Sequence, residues 1–75
     1  MNKQRRKLIK NSISMLENIK SNIEDILSDE EDYFDNMPEN LQGSIRGEES
    51  EAAIDLLNEA IDNLSECISN LEDIS

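Results

Sequence analysis

One proline, Pro38, divides this chain into two stretches, each carrying an unbroken helical spacing of apolar residues. Proline cannot continue a helix and pushes the preceding residue, here Met37, out of helical geometry. Few folds other than a helix, a turn and a second helix satisfy such a pattern. In the first stretch Ile9, Leu16 and Ile23 fall seven apart, as do Ser12, Ile19 and Ile26. Placed at heptad positions a and d, they predict a seam that continues through Tyr33 at d and Met37 at a. Leu8, Ile13, Met15, Leu27 and Phe34 flank it and widen it to a face. The phase predicts a helix over 3–36.

The second stretch is more regular. Ile54, Ile61 and Ile68 occupy a, Leu57, Leu64 and Leu71 occupy d, and Ala53, Ala60, Cys67 and Ile74 fill g. A helix over 44–74 follows, with Ser44 as its N-cap. Gly47 weakens its first turn, which moves the firm start toward Glu48. Residues 37–43 form the turn. Within it Pro38 to Leu41 suit one helical turn closed by Gly43, and Leu41 is expected to fold back over the apolar layer.

At about 1.5 Å per residue the two helices run about 50 and 45 Å, lengths matched for an antiparallel hairpin. The expected fold is therefore all-α, a two-helix hairpin forming a single domain over residues 1–75. Five of the seven bases, Lys3, Arg5, Arg6, Lys7 and Lys10, lie in the first ten residues. The hairpin sets them beside Glu66, Glu72 and Asp73, in pairs worth only about 0–1 kcal/mol each. Faces this wide leave apolar surface wet, and Leu8, Ile13, Met15, Leu27 and Leu56 offer a second contact surface. Self-association is expected, most simply a homodimer of hairpins forming a four-helix bundle.

Leu, Ile and Phe together number nineteen of 75 residues, above the roughly 20% below which a highly charged chain stays disordered. The longest apolar run is Ala52-Ala53-Ile54, so no membrane span and no export signal are expected. A single cysteine points to a reducing compartment, the cytoplasm. A net charge of −11 argues against direct binding to DNA.

The catalytic inventory is nearly empty. There is no histidine, no glycine-rich phosphate loop and no metal-binding cysteine pair. No enzyme activity, cofactor, metal or small-molecule substrate is expected. Cys67 is read as a small apolar residue at the seam's edge, the other reading being a redox or cross-dimer site. Asp29, Glu31, Asp32 and Asp35, with Glu30, suggest calcium at first sight. They lack the alternating ligand spacing and central glycine of an EF-hand loop, and read instead as a solvated acidic patch.

The acids of the second helix carry more information. Glu51, Asp55, Glu59, Asp62 and Glu66 step by 4, 4, 3 and 4 residues, a stripe away from the seam. Glu17, Glu24 and Glu31 repeat every seven residues in the first helix. Residues 11–75 hold two bases against eighteen acids, a local balance of −16. Such stripes serve solubility, or they compete for a basic nucleic-acid-binding groove. Acids recurring about every 6 Å along one helix are too sparse to copy a DNA strand, with a phosphate about every 3.4 Å. Mimicry thus depends on the oligomer. The basic N-terminus suggests a third possibility, weak RNA binding by a helical bundle.

The turn Asp35-Asn36-Met37-Pro38-Glu39-Asn40-Leu41-Gln42-Gly43-Ser44 precedes an Ala-Ile-Asp-x-Leu-x-x-Ala-Ile-Asp-x-Leu pattern from Ala53 to Leu64. Together they resemble a group of short acidic helical proteins encoded by phages and prophages of gut and Gram-positive bacteria. That group has no assigned activity, so no functional residue transfers. The resemblance implies a phage protein made in the cytoplasm of a bacterial host cell. By analogy with other small acidic phage proteins, it suggests inhibition of a host nucleic-acid-binding or defence protein. The remaining reading is a structural or assembly accessory whose acids serve only solubility.

Overall fold

The computed structural model describes residues 1–75 as three helices in the order α1 (Lys3–Asp35), α2 (Glu39–Gln42) and α3 (Ile45–Ile74). The two long helices pack against each other as a hairpin, with the single turn of α2 at its closed end. The result is a rod of 58 × 15 × 13 Å with a Cα radius of gyration of 17.1 Å. A compact chain of this length would have a radius of about 11 Å.

Each boundary has a local cause. The Asn2 side chain caps α1 by accepting from the Arg5 amide at 2.8 Å. At the other end α1 stops at Asp35, one residue before the expected Asn36, because Asn36 takes the C-cap. Pro38 is the N-cap of α2, and Gly43 its C-cap. The Ser44 hydroxyl accepts from the Gly47 amide, so α3 is regular from Ile45 and does not wait for Glu48.

Gly47 has a packing role that its helix propensity conceals. An added Cβ would lie 2.0 Å from the Gln42 carbonyl oxygen, so only glycine lets α2 close onto α3. With α2 held there, the Gln42 side-chain amide donates to the Phe34 and Met37 carbonyls, both at 3.3 Å. The Phe34 carbonyl, which also accepts from the Met37 amide, and the Met37 carbonyl just beyond α1 are thereby tied to α2. Leu41 does not fold back over the apolar layer. It stays 41% exposed, because the α2 turn points Gln42 inward instead.

The seam of α3 runs through Gly47, Ser50, Ile54, Leu57, Ile61, Leu64, Ile68 and Leu71, all buried or half-buried. In α1 the inward line is Ile9, Ile13, Leu16, Lys20, Ile23, Leu27, Glu30 and Phe34, stepping by four and three, and Met37 continues it just beyond the helix. That line corrects the expected seam. Ile19 is 46% and Ile26 54% exposed, and Tyr33 likewise stands outside. Ile13, Leu27 and Phe34, expected as flanks, take the inward positions instead. Two stripes of similar apolarity lie side by side on α1, and α3 covers only one of them.

Candidate functional site

The positions of the acidic side chains follow from the seam. A helix turns about 100° per residue, so Glu17, Glu24 and Glu31 sit some 80° to one side of the inward line of α1. In an antiparallel pair that side of α1 adjoins the side of α3 carrying Glu51, Ser65 and Glu72. A shallow groove fixes the correspondence, being lined by Glu17, Lys20, Glu24, Ser65, Ile68 and Glu72. Asp55, Glu59, Asp62 and Glu66 continue from that face around the outer edge of α3. Glu17, Glu24, Glu31, Glu51 and Glu72 therefore share one side of the rod, and Asp55, Glu59, Asp62 and Glu66 extend it onto the back of α3.

All five acids of the α3 stripe are exposed, as are Glu17, Glu24, Asp29, Glu31, Asp32 and Asp35. Glu30 is the exception. It is half-buried in the seam and accepts a hydrogen bond from the Ser50 hydroxyl at 2.7 Å. That bond joins the two long helices, and no apolar spacing foretells it. A serine at a d position of α3 and a glutamate at an a position of α1 were its available signals.

The exposed carboxylates do not converge on a point. No group of three or more His, Cys, Asp or Glu side chains is placed to hold a metal ion, and Asp29, Glu31, Asp32 and Asp35 are spread over nearly two helical turns. No helix is long and apolar enough to cross a membrane. Lys3, Gln4, Arg6, Lys7 and Lys10 border a concavity of their own at the open end, without residues of α3. Cys67 is a free, exposed thiol on the g line of α3, where Ala53 and Ala60 are half-buried and Cys67 and Ile74 are exposed.

The side opposite the acids has another character. Leu8, Met15, Ile19, Ile26 and Tyr33 of α1 are exposed there, on the side that adjoins the Ala53, Ala60, Cys67 and Ile74 line of α3. The hairpin is thus two-sided: the Glu17, Glu24 and Glu31 series on one face, and on the other uncovered apolar side chains interrupted by Ser12, Asn22 and Asp29.

Charge is also graded along the rod. Residues 21–60, the half nearer the turn, hold thirteen acids and one base, a balance of −12. The remaining residues, 1–20 and 61–75, hold six bases and five acids, a balance of +1. No protein-family model matches the chain, and neither the curated proteins nor the solved structures compared with it include a match.

Proposed function

We propose that this chain is a non-enzymatic interaction protein that binds, and thereby inhibits, a protein with a basic surface. The observation that carries this reading is the placement of Glu17, Glu24 and Glu31 on the same side of the hairpin as Glu51, together with a half of the rod, residues 21–60, that holds thirteen acids and a single base. A surface with thirteen acids against one base attracts cations over distances of about 10 Å at moderate salt. The partner class is a nucleic-acid-binding or defence protein of a bacterial host, and the chain a phage product acting in that host's cytoplasm. The acting unit is a homodimer of hairpins in a four-helix bundle, which doubles the number of acidic faces.

The test is a titration against a panel of basic, nucleic-acid-binding bacterial proteins at 50 and 300 mM NaCl. Binding should weaken at least tenfold between the two, and Glu51→Gln, Asp55→Asn and Asp62→Asn together should abolish it. Affinity indifferent to both changes removes the electrostatic mechanism. The uncovered apolar face favours a second reading, an assembly accessory that binds through Leu8, Met15 and Ile26. On that reading the amide triple variant binds its partner normally.

A further inference from the structure

Self-association, as proposed above, still leaves open which face is used and which way the two hairpins run. We propose that the face bearing Leu8, Met15, Ile19, Ile26 and Tyr33 is covered by the same face of a second copy, and that the two hairpins lie antiparallel. This inference rests on the proposal that the chain self-associates.

The area at stake fits a dimer. The hairpin exposes 5653 Å² and buries only four of its 75 residues. A compact monomer of its mass exposes about 4,700 Å². The excess of about 950 Å² is close to the roughly 800 Å² that each partner contributes to a stable interface. The acidic side cannot supply that contact, because pairing it with itself would bring like charges together. The apolar side avoids that penalty: it is lined by Leu8, Met15, Ile19, Ile26 and Tyr33, and the one acid of its α1 stripe, Asp29, faces Ser12 of the second copy when the hairpins run antiparallel.

Charge sets the direction. Parallel hairpins would lay the −12 half of one copy on the −12 half of the other, and antiparallel hairpins lay each on a half carrying +1. Within α1 the charges also oppose the helix dipole, with bases at the N-terminal end, no acid in the first turn and no base in the last. An antiparallel second copy relieves both ends, setting its Lys3–Lys10 segment near Asp29–Asp35.

The stripe itself is symmetric under reversal. About a point midway between Lys20 and Ser21, Leu8 exchanges with Tyr33, Met15 with Ile26, and Ile19 with Asn22. Leu8 then meets Tyr33 and Met15 meets Ile26, with Ser12 facing Asp29 and Ile19 facing Asn22 between them, so the large apolar pairs recur at matching positions on both sides of a two-fold axis.

The experiment places a spin label at one position per chain in a Cys67→Ser background, with sedimentation measured on the same samples. Leu8 and Ile19 are exposed, so Leu8→Cys and Ile19→Cys disturb the hairpin little, which circular dichroism checks. Antiparallel packing places the two labels at position 8 about 37 Å apart along the axis, and those at position 19 within about 5 Å along it. A dimer with a long distance at 8 and a short one at 19 is the expected result. A dimer with a short distance at 8 overturns the orientation, and long distances at both positions overturn the face. The unlabelled, unsubstituted chain sedimenting as a monomer up to 100 μM overturns self-association itself, a failure distinct from the other two.

Discussion

The Ser50 hydroxyl donates to Glu30 Oε2 at 2.7 Å, tying the second turn of α3 to the last turns of α1. Ser50 retains only 3% of its surface exposed, in the best-packed part of the molecule, beside buried Gly47 and near Met37. A half-buried carboxylate that loses its donor keeps the cost of its lost hydration. Ser50→Ala is therefore expected to destabilise the hairpin by about 1–3 kcal/mol. Replacing both partners, Ser50→Ala with Glu30→Leu, is expected to recover most of that loss. Urea unfolding of the single and double variants, arranged as a cycle, measures the coupling.

The two glycines at the turn should respond oppositely to the same substitution. At Gly47 a Cβ meets the Gln42 backbone at 2.0–2.7 Å, and backbone cannot swing aside. Gly47→Ala should cost about 1–3 kcal/mol by forcing α2 off α3, outweighing the roughly 1 kcal/mol that alanine contributes within a helix. At Gly43 nothing lies within 4 Å, and its φ of −87° suits any residue. Gly43→Ala should stabilise by about 0.4–1 kcal/mol, because it reduces the freedom of the unfolded chain. Thermal unfolding of the pair decides it: melting temperatures moving in the same direction would contradict the placement of α2.

The seam of α1 separates neighbouring residues of nearly identical chemistry. Leu27 is half-buried against α3, while Ile26 is 54% exposed. Leu27→Ala should cost about 2–3 kcal/mol at any protein concentration. Ile26→Ser should leave unfolding at submicromolar concentration within about 0.5 kcal/mol of the parent. Denaturant melts at two concentrations separate the effects, since only a change at a contact between copies depends on concentration.

That pair also shows what the sequence could and could not disclose. For α3 the a and d positions are nearly all Ile and Leu with polar residues opposite, so one apolar stripe exists and its direction is legible. In α1 the line 9-13-16-20-23-27-30-34-37 competes with 8-12-15-19-22-26-29-33, and each mixes apolar with polar residues. Lys20 and Glu30 obscure the stripe that α3 covers, whereas Ile19, Ile26 and Tyr33 strengthen its rival. Long side chains such as Lys20 can keep their charge in water from a half-buried position, and Glu30 finds Ser50. Neither compensation shows in a count of apolar spacing. The helix ends were easier to read, because Pro38, Gly43 and Ser44 act within a few residues. The role of Gly47 was not, because the Gln42 carbonyl reaches it only once the turn has closed. The acidic stripe was visible as spacing alone, but the sharing of a side by its first member, Glu51, with Glu17 and Glu24 depends on the antiparallel packing and on which α1 stripe turns inward.

The acidic half should make the isolated hairpin unusually sensitive to salt. Thirteen acids and one base crowd residues 21–60, and Asp29 to Asp35 occupy the end of α1 where the helix dipole already disfavours negative charge. Their repulsion opposes folding, because folding holds these charges closer together than the unfolded chain does. Raising NaCl from 10 to 200 mM shortens the screening length from about 30 to about 7 Å, weakening that repulsion. The melting temperature at submicromolar concentration should therefore rise with salt. Asp32→Lys, which supplies a base to the last turn of α1, should raise stability by about 0.3–1 kcal/mol at low salt and by less at high salt. A melting temperature that falls over this range would mean that attractions between the terminal bases and nearby acids outweigh the repulsion near the turn. A rise would show that these carboxylates are held at a cost to stability, as a surface kept to meet a basic partner should be.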